Sequence, residues 1–108
     1  MIRGDIVVVA IKGDYGGKPR PAVIVQSDDF SEVPSLAVLP LTTEWRDLPT
    51  IRIAVEPNPE NGLLESSQVM VDKITAVALE RVASQIGRLS PEDMAAVNRA
   101  LAIFLGIV

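Results

Sequence analysis

An α+β fold, a small curled antiparallel β-sheet or barrel with one helix packed against it, is what this sequence predicts. Three observations carry that expectation. Short β-branched stretches separated by Gly- and Pro-rich turns fill the chain as far as Leu89. A strong helix start follows at Ser90-Pro91-Glu92-Asp93. Beyond it the apolar residues switch to helical spacing. The 108 residues contain no linker, repeat or low-complexity tract, so residues 1–108 read as a single domain.

In chain order, Ile6 to Ile11 is short, β-branched and apolar, which predicts a buried strand. Gly13 to Pro19 is a turn-rich loop. Pro21 to Gln26 is a second strand whose proline sits where a missing N–H is tolerated. Ser35 to Leu41 is a third, with Pro40 marking its end or a sheet edge. Ile51, Ile53 and Val55 alternate with Arg52 and Ala54, the period of a half-buried strand. Pro57 to Gly62 is a loop. Gln68 to Asp72 and Ala83 to Leu89 are further short strands, with a helical turn over Leu79 to Val82. In the closing helix Ser90 suits the N-cap, Pro91 the first turn, and Glu92 and Asp93 the positive dipole end. Met94, Val97, Leu101 and Phe104 form one apolar stripe, and Gly106 stops it.

Composition removes whole classes of chemistry. There is no cysteine, so disulfides, thiolate catalysis and Cys-based zinc sites are excluded. There is no histidine, so Ser-His-Asp hydrolysis and His-ligated metals are excluded too. Proton transfer must fall to Asp, Glu, Lys, Tyr or Arg. No cofactor is expected. The start Met1-Ile2-Arg3-Gly4-Asp5 does not read as a signal peptide, and no apolar run is long enough to span a bilayer, so a cytoplasmic, membrane-free protein is expected. Hydrophobic residues make up 48% of this short chain, more apolar surface than a small sphere hides easily, which favours a homodimer. The net charge of −4 argues, taken alone, against nucleic acid. The first half is more balanced, with six basic residues among positions 1–54, and leaves room for a local positive groove.

Chemistry concentrates in Lys18-Pro19-Arg20-Pro21, just after the glycine loop. Two prolines restrict the backbone around Arg20, which suits a fixed guanidinium that meets a phosphate bidentately. A surface arginine paired with Asp14 or Asp28 fits the residues equally well. Thr42, after the third strand, offers a hydroxyl to a phosphate or simply satisfies a turn. Trp45, in the loop after it, either stacks on an unpaired base or covers the core.

These segments resemble the MazF/PemK toxins. The resemblance runs through Arg3-Gly4-Asp5-Ile6, the glycine loop, Arg20-Pro21-Ala22-Val23-Ile24-Val25-Gln26-Ser27-Asp28, Pro40-Leu41-Thr42, Ser67-Gln68-Val69, Ile86-Gly87-Arg88-Leu89-Ser90 and the final helix with Gly106. It implies the SH3-like fold of the MazF, PemK and CcdB type. It also implies a type II toxin that cuts single-stranded RNA at specific sequences without metal. The attacking group is the RNA's own 2′-hydroxyl, and the ends are 2′,3′-cyclic phosphate and 5′-hydroxyl. Arg20 and Thr42 match the catalytic pair, Arg20 serving charge stabilisation and proton transfer. Asp14 is the nearby acid, as a base or loop-fixing group. Lys18, Thr43, Trp45, Ser67 and Gln68 are the expected RNA contacts. Some relatives carry an aspartate before the glutamine; here Ser67 stands there, so that carboxylate is absent. The implied partners are RNA, a second copy of the chain, and a MazE-like antitoxin whose C-terminal tail blocks the groove. Specificity is expected in residues 12–18, 43–50 and 56–64. Two alternatives remain at this point: a CcdB-like gyrase poison, although the Leu105-Gly106-Ile107-Val108 ending lacks the tryptophan of that group, or a binding module without catalysis.

Overall fold

Seven strands and one helix make up the computed structural model, which describes residues 1–11 and 18–108. They are β1 (Asp5–Ala10), β2 (Pro19–Ile24), β3 (Ser35–Thr42), β4 (Arg52–Val55), β5 (Ser67–Met70), β6 (Thr75–Ala78), β7 (Val82–Arg88) and α1 (Pro91–Phe104). The sheet runs β4-β5-β3-β2-β1-β7, with β6 paired to β3 off that path, and every pairing is antiparallel. It is therefore a curled open sheet, the first of the two forms the sequence allows.

Strand β3 organises the sheet because it serves three neighbours. One edge pairs with β2, through Ala22↔Pro40 and Ile24↔Val38. The other edge pairs first with β6, as far as Val38↔Thr75, and then with β5, from Leu41↔Val69. Pro40 lies inside this strand and is buried, not at its end. Ala37 turns its N–H and C=O toward the β2 side, where they meet the Gln26 side chain and the Val25 amide at 3.0 Å each. Backbone polarity alternates along a strand, so Pro40 faces the opposite edge. That is the gap between β6 and β5, where a missing N–H costs no ladder bond. Strand β2 itself stops at Ile24; Val25 and Gln26 extend its pairing without strand geometry.

The pleat sorts the apolar residues onto two faces. Odd positions of β3, Leu39 and Leu41, join Ile6, Val23, Val55, Val69 and Val71 in the main core. The helix caps it with Val97 and Ala100, while Met94 and Leu101 pack at the margin. Phe104, expected on this stripe, is 43% exposed, because the helix runs past the end of the core. The helix ends as expected: Gly106 takes φ +72°, and Gly106 and Ile107 donate back to the Ile103 and Ala102 carbonyls, a Schellman closure. Even positions Leu36 and Val38 join Val7, Val9, Ala22, Ile24 and Val77 on the second face.

Between β5 and β7 the chain departs from expectation. The strand expected over Gln68 to Asp72 runs from Ser67 to Met70, residues 71–73 form a 3-10 turn, and β6 follows, which the sequence does not announce. The turn at Leu79–Arg81 is where it was expected. The 57–62 loop is tied within itself by Asn58 and Asn61 and packs on β7, where Arg88 N–H donates to the Glu60 carbonyl at 2.8 Å. Gly62, at φ +70°, is required there, since a Cβ would land on the Ile86 carbonyl oxygen.

Candidate active site

The second sheet face is apolar at one end and polar at the other, and the polar end is the candidate site. Arg20 is the second residue of β2, directly opposite Val9 of β1. The β2–β3 register is Ile24↔Val38, Val23↔Leu39, Ala22↔Pro40. Pairing stops there, and Arg20 and Thr42 each lie two residues beyond that last pair, at the same end of their strands. Thr42 pairs with Gln68, and Gln68 with Ala54. Thr42, Gln68 and Ala54 thus form one row across three strands, and Arg20 shares their face by the alternation of β2. The sequence reading put Arg20 at a strand mouth; it stands on the strand itself, a firmer mounting.

Three adjoining cavities follow this row. The first, about 250 Å³, holds Lys18, Arg20, Thr42, Thr43 and Ser67 among its walls. The second, about 260 Å³, is lined by Arg20, Thr42, Glu44, Arg46, Arg52, Met70 and Lys73. The third, about 510 Å³, is lined by Trp45, Arg46, Asp47, Leu48, Pro49, Arg52, Ala54 and Gln68. Arg20 and Thr42 line the first two, and Arg46 and Arg52 the last two, so neighbouring cavities share walls. A further cavity, beside Ala10, Ile11 and β6, shares no wall with them.

Short-range bonds fix the polar walls. The Thr42 hydroxyl oxygen accepts from the Glu44 amide at 3.1 Å. Arg52, only 8% exposed, donates from Nε and Nη2 to both oxygens of Asp72, at 2.8 and 3.1 Å. That guanidinium holds the Asp72 carboxyl below its ordinary pKa; burial opposes the shift without cancelling it. The Ser67 hydroxyl donates to the Glu65 carbonyl at 2.9 Å. Gln68 is buried, and both ends of its amide engage the main chain of Arg46.

Most of the residues singled out in the sequence come together here. Arg20, Thr42, Lys18, Thr43 and Ser67 share the first cavity, and Trp45 and Gln68 the third. Asp14 lies outside the described residues. Residues 56–64, expected to help set specificity, line none of the three. Glu44, Arg46, Arg52 and Lys73 were not anticipated. Arg52 looked like the outward residue of an alternating strand, and only the sheet order brings it beside Arg20. Among the described residues, no three acidic side chains converge as metal ligands would. No helix among them is long and apolar enough to cross a membrane.

Fold and site together define a small antiparallel-sheet protein that presents a fixed guanidinium and a hydroxyl in one cation-walled cleft, chemistry suited to a phosphodiester. The chain belongs to the PemK-like, MazF-like toxins of type II toxin–antitoxin systems, a match that spans residues 2–105. It is 46% identical to a probable endoribonuclease MazF of Mycolicibacterium smegmatis over 107 residues, covering 99% of this chain and 98% of that protein. An endoribonuclease solved with its cognate antitoxin, from a mycobacterial species, superposes with TM-score 0.79 at 26% identity, covering 100% of this chain and 97% of that one. MazF from Deinococcus radiodurans, at 21% identity, shares the fold with TM-score 0.81 over 98% of this chain and 96% of its own.

Proposed function

We propose that the chain is the toxin of such a pair and cuts single-stranded RNA in the cleft between Arg20 and Thr42. The observation that carries this is that those two residues, at the same end of adjacent strands, line the same two cavities. The named relatives being endoribonucleases supports it and disfavours the gyrase-poison alternative.

The RNA brings its own nucleophile, the 2′-hydroxyl, so the protein must position the phosphate, stabilise its charge and move one proton. Arg20 and the Thr42 hydroxyl hold the non-bridging oxygens. Glu44, which shares the cavity with both, accepts the 2′-hydroxyl proton. The O2′–P bond forms and the P–O5′ bond breaks. The departing 5′-oxygen takes a proton through the Arg20 guanidinium. So basic a group yields its proton only to an oxygen as basic as a leaving alkoxide. Return of the proton from Glu44 resets the site, and the products are a 2′,3′-cyclic phosphate and a 5′-hydroxyl. No metal or cofactor takes part.

Lys18 and Thr43 flank the cleft as RNA contacts. Ser67 shapes its wall, and Asp14 stays a candidate base or loop-fixing group. The protein works as a cytoplasmic homodimer. Pro40 is buried in the protomer, whereas Ile103, Phe104 and Leu105 are exposed at the helix end, where a second copy can cover them. A MazE-like antitoxin inhibits by laying an acidic tail in the cation-walled cleft, charge-matched as RNA is.

The test is incubation with a long single-stranded RNA in EDTA, with 5′ ends mapped. Wild type is expected to cut at one short motif. Arg20→Ala should lose at least about 10²-fold in rate and Glu44→Gln about 10²-fold or more, both with unchanged circular dichroism. Cleavage that stops in EDTA, or survives in Arg20→Ala, overturns the mechanism.

A further inference from the structure

Segment 43–50 crosses the polar face without strand or helix, yet it is not held like an ordinary loop. Gln68 reaches it from the buried row of β5. Its Oε1 accepts from the Arg46 N–H and its Nε2 donates to the Arg46 C=O, both at 3.0 Å. One side chain therefore pairs with a residue as a neighbouring strand would, through donor and acceptor together. Gln68 is only 4% exposed and its amide is spent on this clamp. That leaves it ill-placed to read RNA itself.

The clamp builds the third cavity. Arg46, its main chain held by the clamp, lines both this cavity and the Arg20–Thr42 cleft. Trp45 stands beside it, 53% exposed, and Leu48 and Pro49 close the far side. At about 510 Å³ the space lies within the usual range for small-molecule pockets, about 300–1,000 Å³. Its walls pair an aromatic face with apolar groups. Its mouth toward the cleft carries Arg46 and Arg52. A strand whose scissile phosphate lies at Arg20 can reach this cavity with its next nucleotide across the wall that Arg46 and Arg52 share with the cleft. A cation for the backbone and an aromatic face for a base are what an unpaired nucleotide binds.

We infer that this cavity is a nucleobase subsite beside the scissile phosphate, that Trp45 is the stacking residue which selects the base there, and that Gln68 is the positioning residue which holds segment 43–50 in place. This rests on the RNA-cutting reading above. It moves Gln68 from an RNA contact to a support behind one.

The experiment uses the purified full chain and a randomised single-stranded RNA pool, with cut sites sequenced for wild type, Trp45→Ala, Gln68→Glu and Arg20→Ala. Glutamate keeps the size of Gln68 and can accept from Arg46 N–H but cannot donate to its C=O. Wild type should show a base preference at one position flanking the cut. Trp45→Ala should lose it, and an abasic residue at that position should slow wild type by about 5- to 150-fold but slow Trp45→Ala little further. Gln68→Glu should relax the same position while its cuts still start from the same chemistry, with cyclic-phosphate ends. An unchanged motif in Trp45→Ala overturns the subsite, and an unchanged motif in Gln68→Glu overturns the clamp, whereas Arg20-dependent cutting in those samples leaves the underlying reading standing. No cutting by wild type, or cutting by Arg20→Ala, sinks that underlying reading instead.

Discussion

At Thr42 the hydroxyl oxygen already accepts from the Glu44 amide, so the hydrogen is the part it can offer to a phosphate. Thr42→Val keeps the volume and removes that donor. Cleavage of a fluorescent RNA should fall about 10- to 100-fold in kcat/KM, the worth of a hydrogen bond to a charged group. Thr42→Ser, which keeps both halves of the hydroxyl's chemistry, should stay near wild type. In the same cavity wall, Arg52 belongs to a pair with Asp72 that carries a pH signature. Asp72 titrates lower in the folded chain than its ordinary 3.8. Its contribution to stability is therefore complete above about pH 4 and fades as pH falls through the folded value. Asp72→Asn should lose up to about 3 kcal/mol at pH 7 in urea unfolding, and the gap to wild type should narrow as pH falls below 3.8. Arg20 and Thr42 were singled out in the sequence by the family resemblance, since the local pattern of prolines or a strand end fitted a structural role as well. Glu44 and Arg46 follow Thr42 closely, but only the hydrogen bonds of segment 43–50 to Thr42 and Gln68 fold them over the cleft; Arg52 and Lys73 arrive through the pairing of β4 with β5 and of β5 with β3, and nothing local marks any of the four.

Whole elements were legible where one local rule decides them. The helix start is the clearest case: Ser90 Oγ accepts from the Asp93 amide at 3.1 Å, with Pro91 and two acids behind it. Ser90→Ala should cost about 1 kcal/mol in urea unfolding, and Ser90→Asp should recover most of it. The helix packs its middle, Val97 and Ala100, on the core and not its end, so this loss should leave RNA cutting unchanged at low temperature. Strand β6 shows the opposite case. Thr75-Ala76-Val77-Ala78 is only four residues, and alanines weaken its β signal. It forms because β3 offers an edge that β5 leaves unused, through Leu36↔Val77 and its neighbours. Pro40 misled for the same reason. Its local meaning is a strand end or an edge; inside this sheet it falls where β3 changes partner, which no local pattern encodes.

At the scale of the whole molecule the difficulty is charge: a chain of net charge −4 is an unusual ligand for RNA. The described structure resolves this by sorting. The three cavities draw on Lys18, Arg20, Arg46, Arg52 and Lys73, five of the chain's ten basic residues, but only on Glu44 and Asp47 of its fourteen acidic ones. Composition could not reveal that, since it sums over a surface that the fold divides. Arg52 is largely committed to Asp72, which leaves about four cations for phosphates. Binding of a single-stranded RNA blocked by 2′-O-methyl groups should therefore weaken with salt along a log–log slope of about −3 per site. Fluorescence anisotropy at several salt concentrations reads that slope directly. A slope near zero would mean that these cations do not meet the RNA backbone. A slope twice as steep would mean that cations outside the three cavities, including any brought by a second copy of the chain, do as much of the binding as these. Arg46→Ala should flatten the slope by about 0.7, because it removes one phosphate contact while leaving the rest of the cleft in place.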